Sequence, residues 1–398
     1  MKIGMILERD YPTTPSDIRV EKEVGSLLQA GFEVDLLSLK ITSAESFENI
    51  GGLNISRVPI PILCIRDWDE RGVERHFHSE QSPWTEAVGR FIDRRKVDVL
   101  HVHDLPLVWT AAHAAKKRGI PVVFDMHEIY PPMVAFMRPR HNGWNPSEWV
   151  EGYEKECLDR TDRIITVVEE SRDRLIDMGI HPRKMVVVRN TEQADKMVAG
   201  NAPNQKYGSL KSSFVVSYVG TFGVIRGLET LIRAGADLRH HIPDLHLLLV
   251  GGDYNRQELE ALAADLGIED CLTITGWVDF KEVPGLIGLS DICTVPHVKN
   301  DFTDATIPHK LFQYMLMGKP VVVSDAKPLK RIVEETGCGR VFKNRDDRDL
   351  AGVLLSLYKN PDQRETMGGR GRIAALEKYN WKKEEESLLE LYRDMGAH

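Results

Sequence analysis

The chain has 398 residues, 42% of them hydrophobic and 28% charged, with a formal net charge of −8. That length suits two domains, because single cores stop growing near ~250–300 residues. The acidic balance argues against a general nucleic-acid surface, and the composition is that of a soluble globular enzyme. Five cysteines, Cys64, Cys157, Cys271, Cys293 and Cys338, show no C-x-x-C spacing, which excludes a disulfide framework and a zinc cluster as first readings. The opening Met1-Lys2-Ile3-Gly4-Met5-Ile6-Leu7-Glu8 becomes charged too early for a signal peptide. No run approaches the ~18 apolar residues of a membrane span, so a cytoplasmic protein is expected.

Short apolar runs alternate with amphipathic segments, the pattern of α/β units on parallel sheets. Strands are expected at 2–7, 33–39, 53–58, 98–102, 121–125, 163–168 and 185–189. The helix between the first two carries Val20, Val24, Leu27 and Leu28 on one face, with Asp17 as its N-cap. The polar stretch 190–213 has no period and reads as a linker. A second set of strands follows near 213–219, 245–250, 271–275, 291–295 and 320–324. The tail carries Leu388, Leu389, Leu391 and Tyr392 as an amphipathic helix.

In the first half, residues 12–19 form the loop after the first strand and offer Asp17 and Arg19. His101-Val102-His103-Asp104 and Asp125-Met126-His127-Glu128 each close a strand, where doubly wound sheets bind their ligands. These histidines make a weak case for a metal, and none is expected. Segment 130–157 interleaves Met133, Phe136, Met137, Trp144 and Trp149 with Arg138 and Arg140. It reads as a lid with packed helices, or as a surface able to touch a membrane.

In the second half, Val219-Gly220-Thr221-Phe222-Gly223-Val224-Ile225-Arg226-Gly227 joins a strand to a helix. Glycines admit close backbone approach, and Arg226 can pair with phosphate in bidentate fashion. Gly251-Gly252-Asp253 and Gly276-Trp277 also end strands. The loop from Thr303 through Thr306, Ile307 and Pro308 leads into a helix closed by Gly318, with Pro308 in its first turn. Its main-chain N–H groups, with Lys310 beside them, would receive a phosphate.

The run from Pro308-His309-Lys310-Leu311-Phe312-Gln313 to Gly318-Lys319-Pro320-Val321 resembles the donor-binding helix of GT-B sugar-nucleotide transferases, especially glycosyltransferase family 4. The resemblance extends over essentially the whole chain. It implies two doubly wound Rossmann-like domains facing across a cleft, at 1–195 and 206–376, with a helix at 377–398 crossing back to the first. It implies a retaining glycosyltransferase that moves a sugar from a nucleoside-diphosphate sugar to a saccharide or glycolipid acceptor. The contexts it suggests are polysaccharide or glycolipid assembly, at or near the inner face of a membrane. No cofactor, metal or nucleic acid is expected; the sugar nucleotide is a co-substrate.

By the same resemblance, Arg226 and Lys310 face the donor diphosphate and His127 meets the transferred sugar. Gly220, Thr221, Gly223, Gly251, Gly276, Trp277, Thr306, Ile307 and Pro308 line the donor. Gln313 contacts the ribose. Asp17, Arg19, His103 and Glu128 lie on the acceptor side, and Glu128 can also orient His127. Asn190 matches an asparagine at the interdomain crossing, in a turn role. The chain departs from the family at Ala305 and Gln313, where relatives carry two glutamates, at Thr221, where a cation is usual, and in lacking a Gly-Gly pair in the first loop. Asp304 or Asp301 can replace the missing acid at 305. Asp67-Trp68-Asp69 has donor-metal spacing but lies in the wrong half. The alternatives are a GT-B sugar-nucleotide epimerase and an inactive sugar-nucleotide-binding homologue. A dinucleotide oxidoreductase is disfavoured, because no G-x-G-x-x-G follows the first strand.

Overall fold

Runs such as Phe214-Val215-Val216 and Val321-Val322-Val323 offer no polar face, and both are strands buried on each side. In the computed structural model, residues 1–12, 17–41, 46–61, 63, 69–138, 144–197, 205–252 and 255–396 are described. The chain forms two units, Met1–Arg189 with Glu384–His398, and Asn190–Lys383.

The first unit holds β1 (Lys2–Ile6), β2 (Glu33–Leu39), β3 (Phe47–Ile50), β4 (Leu53–Val58), β5 (Val99–His103), β6 (Val122–Met126), β7 (Arg163–Thr166) and β8 (Met185–Val187). They lie in the order β3-β4-β2-β1-β5-β6-β7-β8, all parallel except the β3–β4 pair. The second unit holds β9 (Phe214–Val219), β10 (Leu245–Val250), β11 (Leu272–Ile274), β12 (Ile292–Val295), β13 (Val321–Ser324) and β14 (Gly339–Phe342), in the order β11-β10-β9-β12-β13-β14. Both sheets are doubly wound. Strand order reverses beside β1 in the first and beside β9 in the second, so the loops after β1 and β5, and after β9 and β12, flank the switch points where such sheets bind ligands.

Two strands escaped the sequence reading. β3 is an antiparallel edge whose residues are half-buried or exposed, so it has no apolar run to detect. β14 is four residues long and opens on Gly339. The expected boundaries also shift. Residues 190–197 belong to the second unit because their polar groups bond there: Asn190 Nδ2 donates to Ile307 O at 3.2 Å, and Trp381 N donates to Glu192 O at 3.0 Å. The first unit therefore ends at Arg189 rather than at 195, and its returning piece starts at Glu384 rather than at 377. The supposed linker includes a 3₁₀ helix, Gln205–Ser212; Gly200 and Pro203, cited for that reading, lie outside the described residues.

The last helix, Trp381–Gly396, completes the first unit's core. Leu388 and Tyr392 are fully buried, and the Tyr392 hydroxyl meets His101 Nδ1 at 2.5 Å. Among the described residues, no helix is long and apolar enough to cross a membrane. Segment 130–157 forms two helices, Tyr130–Met137 and Pro146–Arg160, with Trp149 stacked on Tyr153 at 5.0 Å between ring centroids. Arg140 lies outside the described residues.

In the second unit, helix Pro361–Glu377 approaches the end of helix His309–Leu316 closely. A Cβ added at Gly368 would lie 2.0 Å from Gly318 O, whereas one at Gly369 would meet nothing within 4 Å. Gly368→Ala should therefore cost about 1–3 kcal/mol by overpacking. Gly369→Ala should be neutral or stabilise by up to ~1 kcal/mol through helix propensity. Urea unfolding of the two variants checks this, and equal midpoints would contradict it.

Candidate active site

At the switch point of the second sheet, the loop after β9 and the loop after β12 are joined by a hydrogen bond from Val298 N to Ile225 O at 2.9 Å. The first loop makes a 3₁₀ turn, Val224–Arg226, and presents a half-buried Arg226. Helix His309–Leu316 brings Lys310 to the same end of the sheet. Lys310 is buried, and its Nζ lies 4.6 Å from the centroid of the Tyr218 ring. Gly220 is needed for this placement, since a Cβ there would stand 2.9 Å from the Lys310 Nζ. Among the described residues, neither Lys310 nor Arg226 has a carboxylate partner. Burial, and then the charge of Arg226, hold the Lys310 ammonium well below its ordinary pKa. His297, from the loop after β12, is buried with Nε2 unpartnered among the described residues. Burial, with Arg226 and Lys310 nearby, keeps its imidazole neutral. Two basic side chains at one strand end with no carboxylate between them suit a bound anion. Sequence reasoning missed His297, because a histidine in an unmarked loop carries no signal.

The other expected donor residues surround this point. Gly220 N donates to Val250 O at 2.8 Å, Thr221 O accepts from Tyr218 Oη at 2.8 Å, and Gly223 opens the turn that carries Arg226. Gly251 and Gly276 form an isolated bridge, and Trp277 is 52% exposed beside them. Asp253 lies outside the described residues. Pro308 is the N-cap of its helix, not a residue of its first turn, with an extended ψ of 142°. Thr306 is half-buried next to it, and Ile307 is buried with its carbonyl taken by Asn190. Thr303 serves its own loop, donating to Val298 O at 2.8 Å and accepting from Asn300 N at 3.0 Å. Ala305 is buried, and Asp304 cannot freely replace its missing acid, since Asp304 Oδ1 accepts from Lys327 N at 2.8 Å. Gln313 is buried and donates to Glu192 Oε2 at 3.1 Å.

The first unit gathers a different cluster at the ends of β5 and β6. Asp125 accepts a fork from Arg19, 2.9 Å from Nε to Oδ2 and 2.6 Å from Nη2 to Oδ1. Arg19 also lies 2.9 Å from Glu23 and donates to Val188 O at 2.9 Å. This corrects the acceptor-side role expected of Arg19: the side chain is 3% exposed and committed to the core. His103 is likewise buried rather than offered to an acceptor, with Nδ1 3.2 Å from Asp125 Oδ2. Burial, and then His101, push its pKa down to about 3, so it is neutral. Asp17 is the helix N-cap, accepting from Val20 N at 3.3 Å; against the cost of burial, His127 and His103 hold its carboxyl below the usual range. Residues 13–16 of that loop lie outside the described residues.

His127 stands over this base. Its Nε2 lies 2.6 Å from Asp125 Oδ2 and its Nδ1 3.5 Å from Asp104 Oδ2. Burial alone would favour the neutral ring, but Asp125 and then Asp104 overcome it and raise the pKa to about 9. At neutral pH the ring is an imidazolium. The carboxylates that hold it are Asp125 and Asp104, while Glu128 is half-buried next in sequence. Asp104 was legible only as part of a motif; its φ of 64° turns it back toward His127. Glu23, His101, His103 and Asp125 bring ligand-type atoms within 4.8 Å of one another, a donor set that a metal could use. The Arg19 guanidinium already bonds both Asp125 oxygens, so the positive charge this cluster needs is present in the chain. Of the D-x-D triplet only Asp69 is described, and it caps helix Glu70–Phe77 by accepting from Gly72 N at 2.7 Å.

Two doubly wound parallel sheets, the second with an anion-ready switch point, define a GT-B protein. The Glycosyltransferase Family 4 model matches residues 20–191, and the model for glycosyl transferases group 1 matches residues 202–373. The two halves of the chain thus each match a glycosyltransferase family model. It is 22% identical to an alpha-D-kanosaminyltransferase of Streptomyces kanamyceticus over 70% of this chain and 72% of that one. The next two relatives are matched over little more than half of their length, 57% and 55%. The fold superimposes on sucrose-phosphate synthase from Thermosynechococcus elongatus with a TM-score of 0.81, at 20% identity, covering 100% of this chain and 99% of that one. HepE of Anabaena in complex with UDP-glucose gives 0.73 at 15% identity, covering 99% and 100%.

The His127 pair makes a titration prediction. A folded pKa of about 9 against an ordinary 6.5 contributes stability that is complete below the unfolded value and lost as pH rises through about 9. Asp104→Asn leaves the Arg19–Asp125 fork in place. It should bring the His127 midpoint down toward neutrality and flatten the loss of stability between neutral pH and pH ~9. Imidazole NMR titration and thermal melts across that range check both, and an unchanged midpoint would remove Asp104 from the account.

Proposed function

We propose that this chain is a retaining glycosyltransferase that moves a sugar from a nucleoside-diphosphate sugar to a saccharide or lipid-linked saccharide acceptor, without a metal. The observation that carries this reading is the buried Lys310 ammonium, with Arg226 near it and no carboxylate partner on either among the described residues. As the bond between the sugar and the diphosphate breaks, negative charge builds on the departing phosphate oxygen. Arg226, Lys310 and the positive end of helix His309–Leu316 stabilise that charge in place, the role a divalent cation plays in other transferases. The UDP-glucose complex of a structural neighbour supports a nucleoside-diphosphate sugar as the donor.

His127 serves the sugar in this scheme. Its Nε2 is held by Asp125 at 2.6 Å, while its Nδ1–H, 3.5 Å from Asp104 Oδ2, is the donor it offers to a sugar hydroxyl. Retention, with the acceptor attacking from the face the diphosphate leaves, rests on the likeness to the family. A lipid-linked acceptor is supported by the exposed apolar pair Phe136 and Met137, which ends helix Tyr130–Met137. The same pair supports contact with a membrane surface, which by the likeness to the family is its inner face.

Removing an uncompensated buried charge should not harm the free protein. Lys310→Met is therefore expected to keep or raise the melting temperature while weakening the tightest binder among UDP, ADP and GDP by roughly 10²-fold. Calorimetry with the three nucleotides tests this, and unchanged affinity would remove the phosphate assignment.

A donor panel with free nucleotide and sugar products resolved separates transfer from epimerisation and from binding without turnover. In that assay, run in excess EDTA, the parent should transfer sugar, and His127→Ala should lose turnover while keeping nucleotide affinity within about 2-fold. Activity that disappears in EDTA and returns with manganese would overturn the metal-free mechanism.

A further inference from the structure

Gln313 lies on helix His309–Leu316, three residues beyond Lys310, and its side chain is 6% exposed. Its Nε2 donates to Glu192 Oε2 at 3.1 Å, across 121 residues of sequence. Glu192 is fully buried and firmly placed. Its Oε1 accepts from Gln193 N at 3.0 Å, its carbonyl accepts from Trp381 N at 3.0 Å, and it bridges to Asn380. An ionised carboxylate only accepts hydrogen bonds, so the amide must turn its NH₂ group toward Glu192. The carbonyl Oε1 of Gln313 then faces away, and among the described residues it has no hydrogen-bond partner.

We propose that Glu192 is a positioning residue for the donor: it locks the Gln313 amide so that Oε1 is presented as the acceptor for a ribose hydroxyl. This rests on the reading that this end of the second unit holds a nucleoside-diphosphate sugar. Two physical consequences make the pair a unit. Donation to a carboxylate polarises the amide and enriches its oxygen in negative charge, so a neutral side chain gains part of an acid's accepting strength. A glutamate at 313 would face a second carboxylate at hydrogen-bond distance, and one of the two would have to take up a proton. Glutamine at 313 is thus the residue that Glu192 requires, and the negative charge that accompanies the ribose site resides on the segment before the 3₁₀ turn Ala194–Met197 instead of on the helix.

The test compares UDP, ADP and GDP with their 2′,3′-dideoxy counterparts by calorimetry on the full chain. The parent should prefer the ribose form of its best nucleotide by about 10-fold, the loss expected for one or two hydrogen bonds. Glu192→Gln frees the amide to flip and should bring that preference to within about 2-fold while leaving dideoxy binding unchanged, an effect that a merely structural role would not produce. The double variant Glu192→Gln with Gln313→Glu restores one acid and one amide and should recover the preference. The single Gln313→Glu variant should bind the ribose form better as pH falls. A Glu192→Gln protein that keeps the parental preference, or a double variant that folds and does not recover it, would overturn the positioning role while leaving the donor reading intact. A parent that binds none of the nucleotides would overturn both.

Discussion

A lysine amine sealed away from water without a counter-charge is the constraint on which the second unit is organised. Desolvating a charge is expensive, and proteins tolerate it when something later arrives to repay it. Lys310 is held over the Tyr218 ring, Gly220 gives up its side chain to make room, and Arg226 adds a like charge that makes the position less comfortable still. None of these choices favours the free protein. Each favours an anion. The neutral His297 completes the picture, because a third cation would repel the other two with nothing to offset it.

The first unit follows the opposite rule. There the charges are paired inside the protein, with Arg19 forked onto Asp125 and reaching Glu23, so that Asp125 is ionised well below the usual carboxylate range despite its burial. That fixed negative charge is what keeps His127 protonated. One unit therefore stores an unmet positive charge, and the other holds a satisfied, directional one.

What could be read from the sequence divides along the same physical line. Periodicity located the buried strands to within a residue or two at most boundaries, because parallel strands are continuous apolar runs. It failed at β3, an exposed edge, and at β14, which is short and starts with glycine. Lys310 and Arg226 could be singled out because each sits in a local pattern, a helix start and a glycine-rich turn, and the structure brings the two near each other. Arg19 was misjudged because its partner is 106 residues away; a loop arginine and a core arginine look alike until Asp125 is beside it. Gln313 and Glu192 fall in the same class, since neither residue alone announces the other. Local chemistry was visible, and long-range pairing was not.

The Tyr392–His101 contact has a consequence for how the protein comes into being. The first unit is assembled from residues Met1–Arg189 and Glu384–His398, and Tyr392 lies fully buried in its core. A ribosome adding ~5–20 residues per second needs roughly 10–40 s to make the ~200 residues in between. For that interval the unit synthesised first exists with an open seam over Phe32 and His101, while the unit synthesised second has every residue it needs as soon as Lys383 has emerged. The order of completion is thus reversed relative to the order of synthesis, and the half of the molecule that begins the chain is the last to close.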